Sequence, residues 1–157
     1  MQSYNIPISE YKLHAGCRPE DIIKLPMRPF SNLAVNFLGD LSKALMADCE
    51  ARKYPDVISF AFWSRPASLN KKHKELTIDQ YSIGRGLALH IAPSNVPVNF
   101  AFSFAFGLLS GNANLVRVPE MKYLQTKIIL QHIDLQLNKS KYSTLKSQNS
   151  LFYYERN

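Results

Sequence analysis

Two short apolar runs, each closed by a proline and joined by a long apolar stretch, limit most sharply what this chain can fold into. Residues 87–92 (Leu-Ala-Leu-His-Ile-Ala) follow Gly84-Arg85-Gly86 and stop at Pro93, and residues 114–118 (Asn-Leu-Val-Arg-Val) stop at Pro119. Runs this short and dense suit buried parallel strands. Between them, residues 96–109 are nearly all apolar. Phe100, Phe102, Phe104 and Phe106 alternate as they would in a strand, but the stretch is more than twice the common strand length of about 5–6 residues. Pro97 suits a first helical turn and Gly111 the position just past a helix end, so the stretch predicts a buried helix. After Pro119, Leu124, Ile128, Ile129, Ile133 and Leu137 fall at helical spacing, and residues 151–154 (Leu-Phe-Tyr-Tyr) read as the opening of a third strand. Strand, helix, strand, helix and strand, joined by right-handed crossovers, make a partial Rossmann-like parallel sheet of α/β class.

The amino-terminal half is expected to be helical. Pro7, Pro19, Pro26 and Pro29 break residues 1–30 into an irregular arm that packs on the rest. Leu33, Phe37, Leu38, Leu41, Leu45 and Met46 recur at helical spacing behind Ser31, a residue that caps helices, and predict a helix from 32 to about 53. Residues 57–63 are too uniformly apolar for a surface helix and predict a short buried one, with Trp63 as core in preference to a ligand contact. Lys71, Lys72, His73 and Lys74 read as a solvated loop. The chain divides on this basis into a helical region, residues 1–80, and a sheet region, residues 81–157.

A net charge of +7 invites a nucleic-acid reading, but the cations are scattered and their densest run spans four residues beside Glu75, which favours a surface segment. Cys17 and Cys49 form no CxxC pair, and with His14, His73, His90 and His132 they match no zinc spacing. The first residues lack an apolar core of the signal-peptide kind, and two separate thiols fit a reducing compartment, so a cytoplasmic location is expected. His90, Pro93, Ser94, Asn95, Pro97 and Asn99 interrupt the apolar run of residues 86–109 and argue against a membrane span. Gly84-Arg85-Gly86 precedes a strand instead of joining a strand to a helix, so it is a turn and not a dinucleotide fingerprint.

Three stations in order, Pro93-Ser94-Asn95-Val96-Pro97, then Ser110-Gly111-Asn112 after the apolar helix, then Arg117-Val118-Pro119-Glu120, resemble the first strand-helix-strand of the aldehyde dehydrogenase superfamily. Within it the chain resembles the bacterial fatty-acyl-CoA reductases of the LuxC family, from about Leu25 onward, with Phe62-Trp63-Ser64-Arg65 adding to the likeness. The resemblance implies a nicotinamide-cofactor-binding unit over residues 81–157. It also implies reduction of a long-chain fatty acyl-CoA or acyl thioester to the aldehyde through a cysteine thioester, with acyl-transfer proteins and self-association as partners. It makes Asn95 the candidate oxyanion donor, against the alternative that its amide merely ties the proline-flanked turn. Ala92, Pro93 and Ser94, with Arg117 and Glu120 at the strand end, become the cofactor-binding set. Arg117 in place of the family's Lys can pair bidentately with a 2′-phosphate and favours NADPH, whereas Glu120 beside a ribose favours NADH. The family's catalytic cysteine lies beyond Asn157, so an amino-terminal fragment without turnover is expected, with a stand-alone nucleotide-binding or interaction module as the alternative.

Overall fold

The computed structural model describes residues 11–120 and 122–154. β1 (Tyr11–Gly16) leads through a proline-bearing arm into α1 (Asn32–Ala47), α2 (Pro55–Trp63) and α3 (Pro66–Glu75). There follow β2 (Leu87–Ile91), α4 (Asn99–Leu109), β3 (Ala113–Arg117), α5 (Leu124–Leu137), α6 (Ser143–Gln148) and β4 (Asn149–Tyr154). The fold is α/β, with one four-stranded sheet in the order β1-β4-β3-β2. β2, β3 and β4 are parallel, as the alternating strand and helix signals predict, and β1 pairs antiparallel with β4.

Two consecutive right-handed crossovers that step the same way across a sheet leave their helices on one face. α4 and α5 accordingly both pack against α1, which forms the outer layer. The buried core lies between, built from Phe37, Leu38, Leu41 and Leu45 of α1, Phe100, Phe104 and Leu108 of α4, Ile129 and Ile133 of α5, and Val116 and Leu151 of the sheet. It takes side chains from both sides of position 80. The other face of the sheet is covered unevenly, Ser150 and Phe152 of β4 being buried there. β2, expected to be buried, is instead an edge strand whose Leu89 and Ile91 are 62% and 66% exposed. The density of an apolar run reports strand character, and strand order decides whether both faces are covered.

Three other expectations need correction. α1 ends at Ala47 and not near Lys53, because the Asp48 carboxylate accepts the Glu50 N–H (2.8 Å) and offers the backbone an alternative to another helical turn. Ala51–Lys53 then form a separate 3-10 turn. The basic run of residues 71–74 is not a loop but the exposed face of α3, which Pro66 opens at its first turn and which buries only Leu69. The arm's β1 covers the outer edge of β4, which the sequence pattern leaves open.

Farther along, the arm crosses the amino-terminal edge of the sheet. The Met27 N–H donates to Gly111 O (2.8 Å) and the Gly84 N–H to Met27 O (2.9 Å). A Cβ on Gly111, whose φ is +78°, would sit 2.1 Å from Met27 O, so only glycine permits this approach. On the helical side, His132 of α5 meets Asp48 at 2.8 Å and the Tyr142 hydroxyl donates to Asp40 (2.8 Å), which also pairs with Lys141.

Candidate functional site at the carboxyl edge of the sheet

The carboxyl ends of parallel strands are where open α/β sheets bind ligands, and the sequence-predicted residues lie at or just past the ends of β2 and β3. Ile91 and Arg117 are register partners, the Ala92 N–H donates to Arg117 O (3.2 Å), and the Val118 N–H donates to Phe152 O (2.8 Å). The end of β2, the end of β3 and the last residues of β4 are therefore locked side by side. From this crest the 93–97 turn projects between two buried anchors, Ala92 and Val98. Pro93, Ser94, Asn95 and Val96 are exposed.

Asn95 is not what holds the turn. Among the described residues its side chain makes no hydrogen bond, and the turn is tied instead by the fully buried Thr126 of α5, whose hydroxyl donates to Pro97 O at 2.9 Å. Thr126 escaped the sequence reading, although it stands as a lone hydroxyl on the buried stripe Thr126, Ile129, Leu130, Ile133 and Leu137. The Asn95 amide is left free to donate to something above the crest.

Arg117 projects on the open face with its register partners Ile91 and Phe152. Its guanidinium carbon lies over the rings of Tyr154 (4.8 Å) and Tyr153 (5.9 Å), within cation–π range of both. Its Nε is buried without a hydrogen-bond partner, and no carboxylate among the described residues pairs with it. An ordinary strand-end ion pair is thus not how this arginine is used. Glu120 turns instead to Lys122 (2.8 Å) in an exposed pair of little energetic weight, so the structure does not join Arg117 and Glu120 to each other. An unpaired guanidinium with an orphaned donor fits an anionic group such as a phosphate, and a nicotinamide dinucleotide carries such groups.

Beneath the crest runs a polar ladder that the sequence reading also missed. His90 on β2 donates from Nε2 to Asn114 Oδ1 (3.0 Å), Asn114 Nδ2 donates to Asn149 Oδ1 (2.7 Å) and to Asn112 O (2.9 Å), and Asn149 Nδ2 donates to Leu145 O (2.6 Å). With both Asn114 amide hydrogens committed, its oxygen must accept, which requires the His90 tautomer protonated at Nε2. Gly107 of α4 lies over this ladder, where a Cβ would fall 1.8 Å from Asn114 Oδ1. The ladder fastens β2, β3 and β4 in the register that aligns their carboxyl ends.

The cysteines stand elsewhere. Cys17 is partly buried at the amino-terminal end of β4, where its N–H donates to Asn149 O (2.9 Å) and burial pushes its thiol pKa up. Cys49 is exposed just past α1. Among the described residues no group of three or more His, Cys, Asp or Glu is placed to hold a metal, and no helix is long and apolar enough to cross a membrane.

No curated protein and no solved structure matches the chain. The family model described as acyl-CoA reductase (LuxC) matches residues 21–157, which takes in the end of the arm, α1 to α6 and the three parallel strands but not β1, and the chain belongs to that family.

Proposed function

We propose that this chain supplies the cofactor-facing part of an acyl-CoA reductase that reduces a long-chain fatty acyl-CoA to the aldehyde with NADPH, on a fold of the aldehyde dehydrogenase type. The observation that carries the reading is Arg117: a half-buried arginine at a strand's carboxyl end, its guanidinium over the Tyr154 ring, with no carboxylate partner among the described residues. Its free fork suits the 2′-phosphate that distinguishes NADPH from NADH. Ala92, Pro93 and Ser94 form the rim against which the dinucleotide rests, and Glu120 reaches a ribose hydroxyl when it leaves Lys122. The bound cofactor, in its reduced form, supplies the hydride.

Asn95 has the other part. Hydride addition to a thioester carbonyl puts negative charge on its oxygen, and an amide N–H fixed beside that oxygen lowers the barrier. Thr126 positions the turn so that the Asn95 amide does not have to. Removing one such donor lowers the rate by roughly 10²–10³-fold. Neither Cys17 nor Cys49 belongs to the crest, so binding of the cofactor by this chain without turnover is expected.

Thermal unfolding of the 157-residue chain with NADPH, NADH or neither tests the reading. At a hundred times Kd a ligand that binds only the folded state adds about 2.7 kcal/mol of stability, a Tm rise of roughly 5–10 °C for a domain of this size. The rise is expected to be larger with NADPH than with NADH. Arg117→Ala should remove the difference while leaving the unliganded Tm within about 2 °C. Equal shifts with both nucleotides, or a preference unchanged in Arg117→Ala, would sink the assignment.

A further inference from the structure

Among the strands β1 pairs only with β4, at the rim of the sheet, and it precedes the residues that the family model matches. Its hold is light. The register with β4 is broken by a bulge between Leu13 and Ala15, which leaves His14 without a partner residue on β4. Of the six residues of β1 only Ala15 is buried. Tyr11 adds an edge-on contact to Phe152 (6.0 Å) and an exposed hydrogen bond from its hydroxyl to Glu20 (2.9 Å). Past the strand, Gly16 has a φ of +89° and the Cys17 N–H donates to Asn149 O (2.9 Å), which makes residues 16 and 17 the pivot about which β1 can lift.

His14 stands in the bulge with its Nε2 buried and without a hydrogen-bond partner among the described residues. A neutral ring can leave that nitrogen as a bare acceptor. An imidazolium cannot, because both of its nitrogens are donors and it brings a charge into the contact as well. Burial holds the His14 pKa below its ordinary value, and Lys12 on the same strand acts in the same direction. The elements packed against β1 carry Tyr153 and Tyr154 on β4, Lys127, His132 and Asp134 on α5 and Lys146 on α6, and none of these offsets the two effects. His132 is turned to Asp48 and Lys146 to Asn138.

We propose that β1 is an acid-released strap: protonation of His14 lifts residues 11–16 off β4 and opens the outer edge of the sheet, while β2, β3 and β4 stay paired. Above about pH 6.5 His14 is neutral whether the strand is docked or free, and the hold is whole. As pH falls below that value the free strand takes up the proton first, and the hold weakens. A free imidazole of pKa 6.5 is about ten parts charged to one neutral at pH 5.5, so opening rises by at most about tenfold between pH 7.5 and 5.5. Lifting the strand also withdraws Tyr11 from Phe152, whose ring stacks on the Tyr154 ring (6.0 Å) that lies under Arg117. The strap does not depend on what Arg117 binds.

Amide hydrogen exchange of the full chain, followed by NMR at pH 7.5, 6.5 and 5.5 and expressed as protection factors to remove the intrinsic pH dependence, tests the strap. Protection of the β1 amides bonded to β4 is expected to fall about three- to tenfold from pH 7.5 to 5.5, with protection in β2 and β3 changed by less than about twofold. His14→Gln, uncharged throughout, should abolish the fall, and His14→Lys, charged throughout, should show the released level already at pH 7.5. The His14 ring resonances should titrate with a midpoint below that of a free imidazole. Protection of β1 that is independent of pH, an equal fall in β2 and β3, a fall that persists in His14→Gln, or a His14 midpoint at or above the free value would overturn the proposal.

Discussion

Asn114→Ala should cost this protein a large share of its stability, and the amount follows from where the partners sit. Asn114 is fully buried and makes three hydrogen bonds, to Asn149 Oδ1, to Asn112 O and from His90 Nε2. Asn149 is also fully buried, so its orphaned oxygen would carry a desolvation penalty of about 1–3 kcal/mol. Asn112 and His90 are only partly buried, so each bond lost to them costs nearer the ordinary 0.5–1.5 kcal/mol. The expected loss is about 2–6 kcal/mol, toward the lower end if a water enters among the three freed polar groups. Total stabilities of domains are about 5–15 kcal/mol, so this is not a minor change. Urea unfolding monitored by far-UV circular dichroism measures it, with the slope m unchanged if the denatured state is unaffected. Because the two asparagines form one ladder, Asn114→Ala and Asn149→Ala should also couple by more than 0.5 kcal/mol in a double-mutant cycle. A loss below about 1 kcal/mol, or additive single effects, would refute the view that the ladder fastens the parallel strands.

Two further outcomes follow. Burial, with Asp40 as acceptor, pushes the Tyr142 hydroxyl up to about 12, so the fold favours its protonated form; that stability is whole below about pH 10 and is lost as pH rises toward 12, and Tyr142→Phe should flatten unfolding free energy over that window. The Lys141 ammonium holds Asp40 below the usual carboxylate range, so its share is lost on the acid side as pH falls below about 4, the opposite sign. Thr126→Val keeps the shape of the side chain but deprives Pro97 O of its donor: a loss of about 1 kcal/mol is expected, together with faster amide exchange at residues 94–96 than at residues 88–91, and unchanged exchange would mean that the turn is held by other contacts.

Order and type of β2, α4, β3, α5 and β4 were legible because each carries a dense or periodic apolar run, most of them punctuated by a proline or glycine, whereas the six-residue α6, with one buried apolar residue, left no such signal. The exposure of β2 was not. Leu87-Ala88-Leu89-His90-Ile91 has the composition of a central strand, and only the strand order reveals that among the described residues no neighbour lies beyond it. β1 was hidden for a different reason: its partner, β4, is more than 130 residues away in sequence, and the arm's prolines mask a weak alternation. α1 stopped early on a single side chain, Asp48, that periodicity does not weigh. At the site, Asn95, Arg117 and Glu120 were identified through family resemblance, whereas Thr126 is a lone hydroxyl on a buried helical stripe and Asn114 and Asn149 stand among polar neighbours at the amino-terminal ends of β3 and β4. Such residues do not stand out in a sequence, yet a buried polar group without a partner is rare enough that each should be read as one end of a hydrogen bond.

The one-sided winding of the sheet ties these observations together. α4 and α5 share a face, so Thr126 on α5 can reach back to Pro97 at the start of α4 and fix the turn that carries Asn95. By the same geometry the opposite face stays open where Arg117 lies on Tyr154. A donor on the turn and a guanidinium on the open face then approach the carboxyl crest from different directions, set by Ala92 and Arg117, whose backbones are hydrogen-bonded to each other. On the proposed function, with Asn95 facing the acyl group and Arg117 the cofactor, such a division would keep a hydride donor and an acyl group from competing for the same space. A shift in the register of β2 on β3 would move the Asn95 turn relative to Arg117 by one strand residue, about 3.3 Å, which is enough to spoil a geometry that tolerates about 1 Å. The His90–Asn114–Asn149 ladder, which crosses all three parallel strands, is what resists that shift.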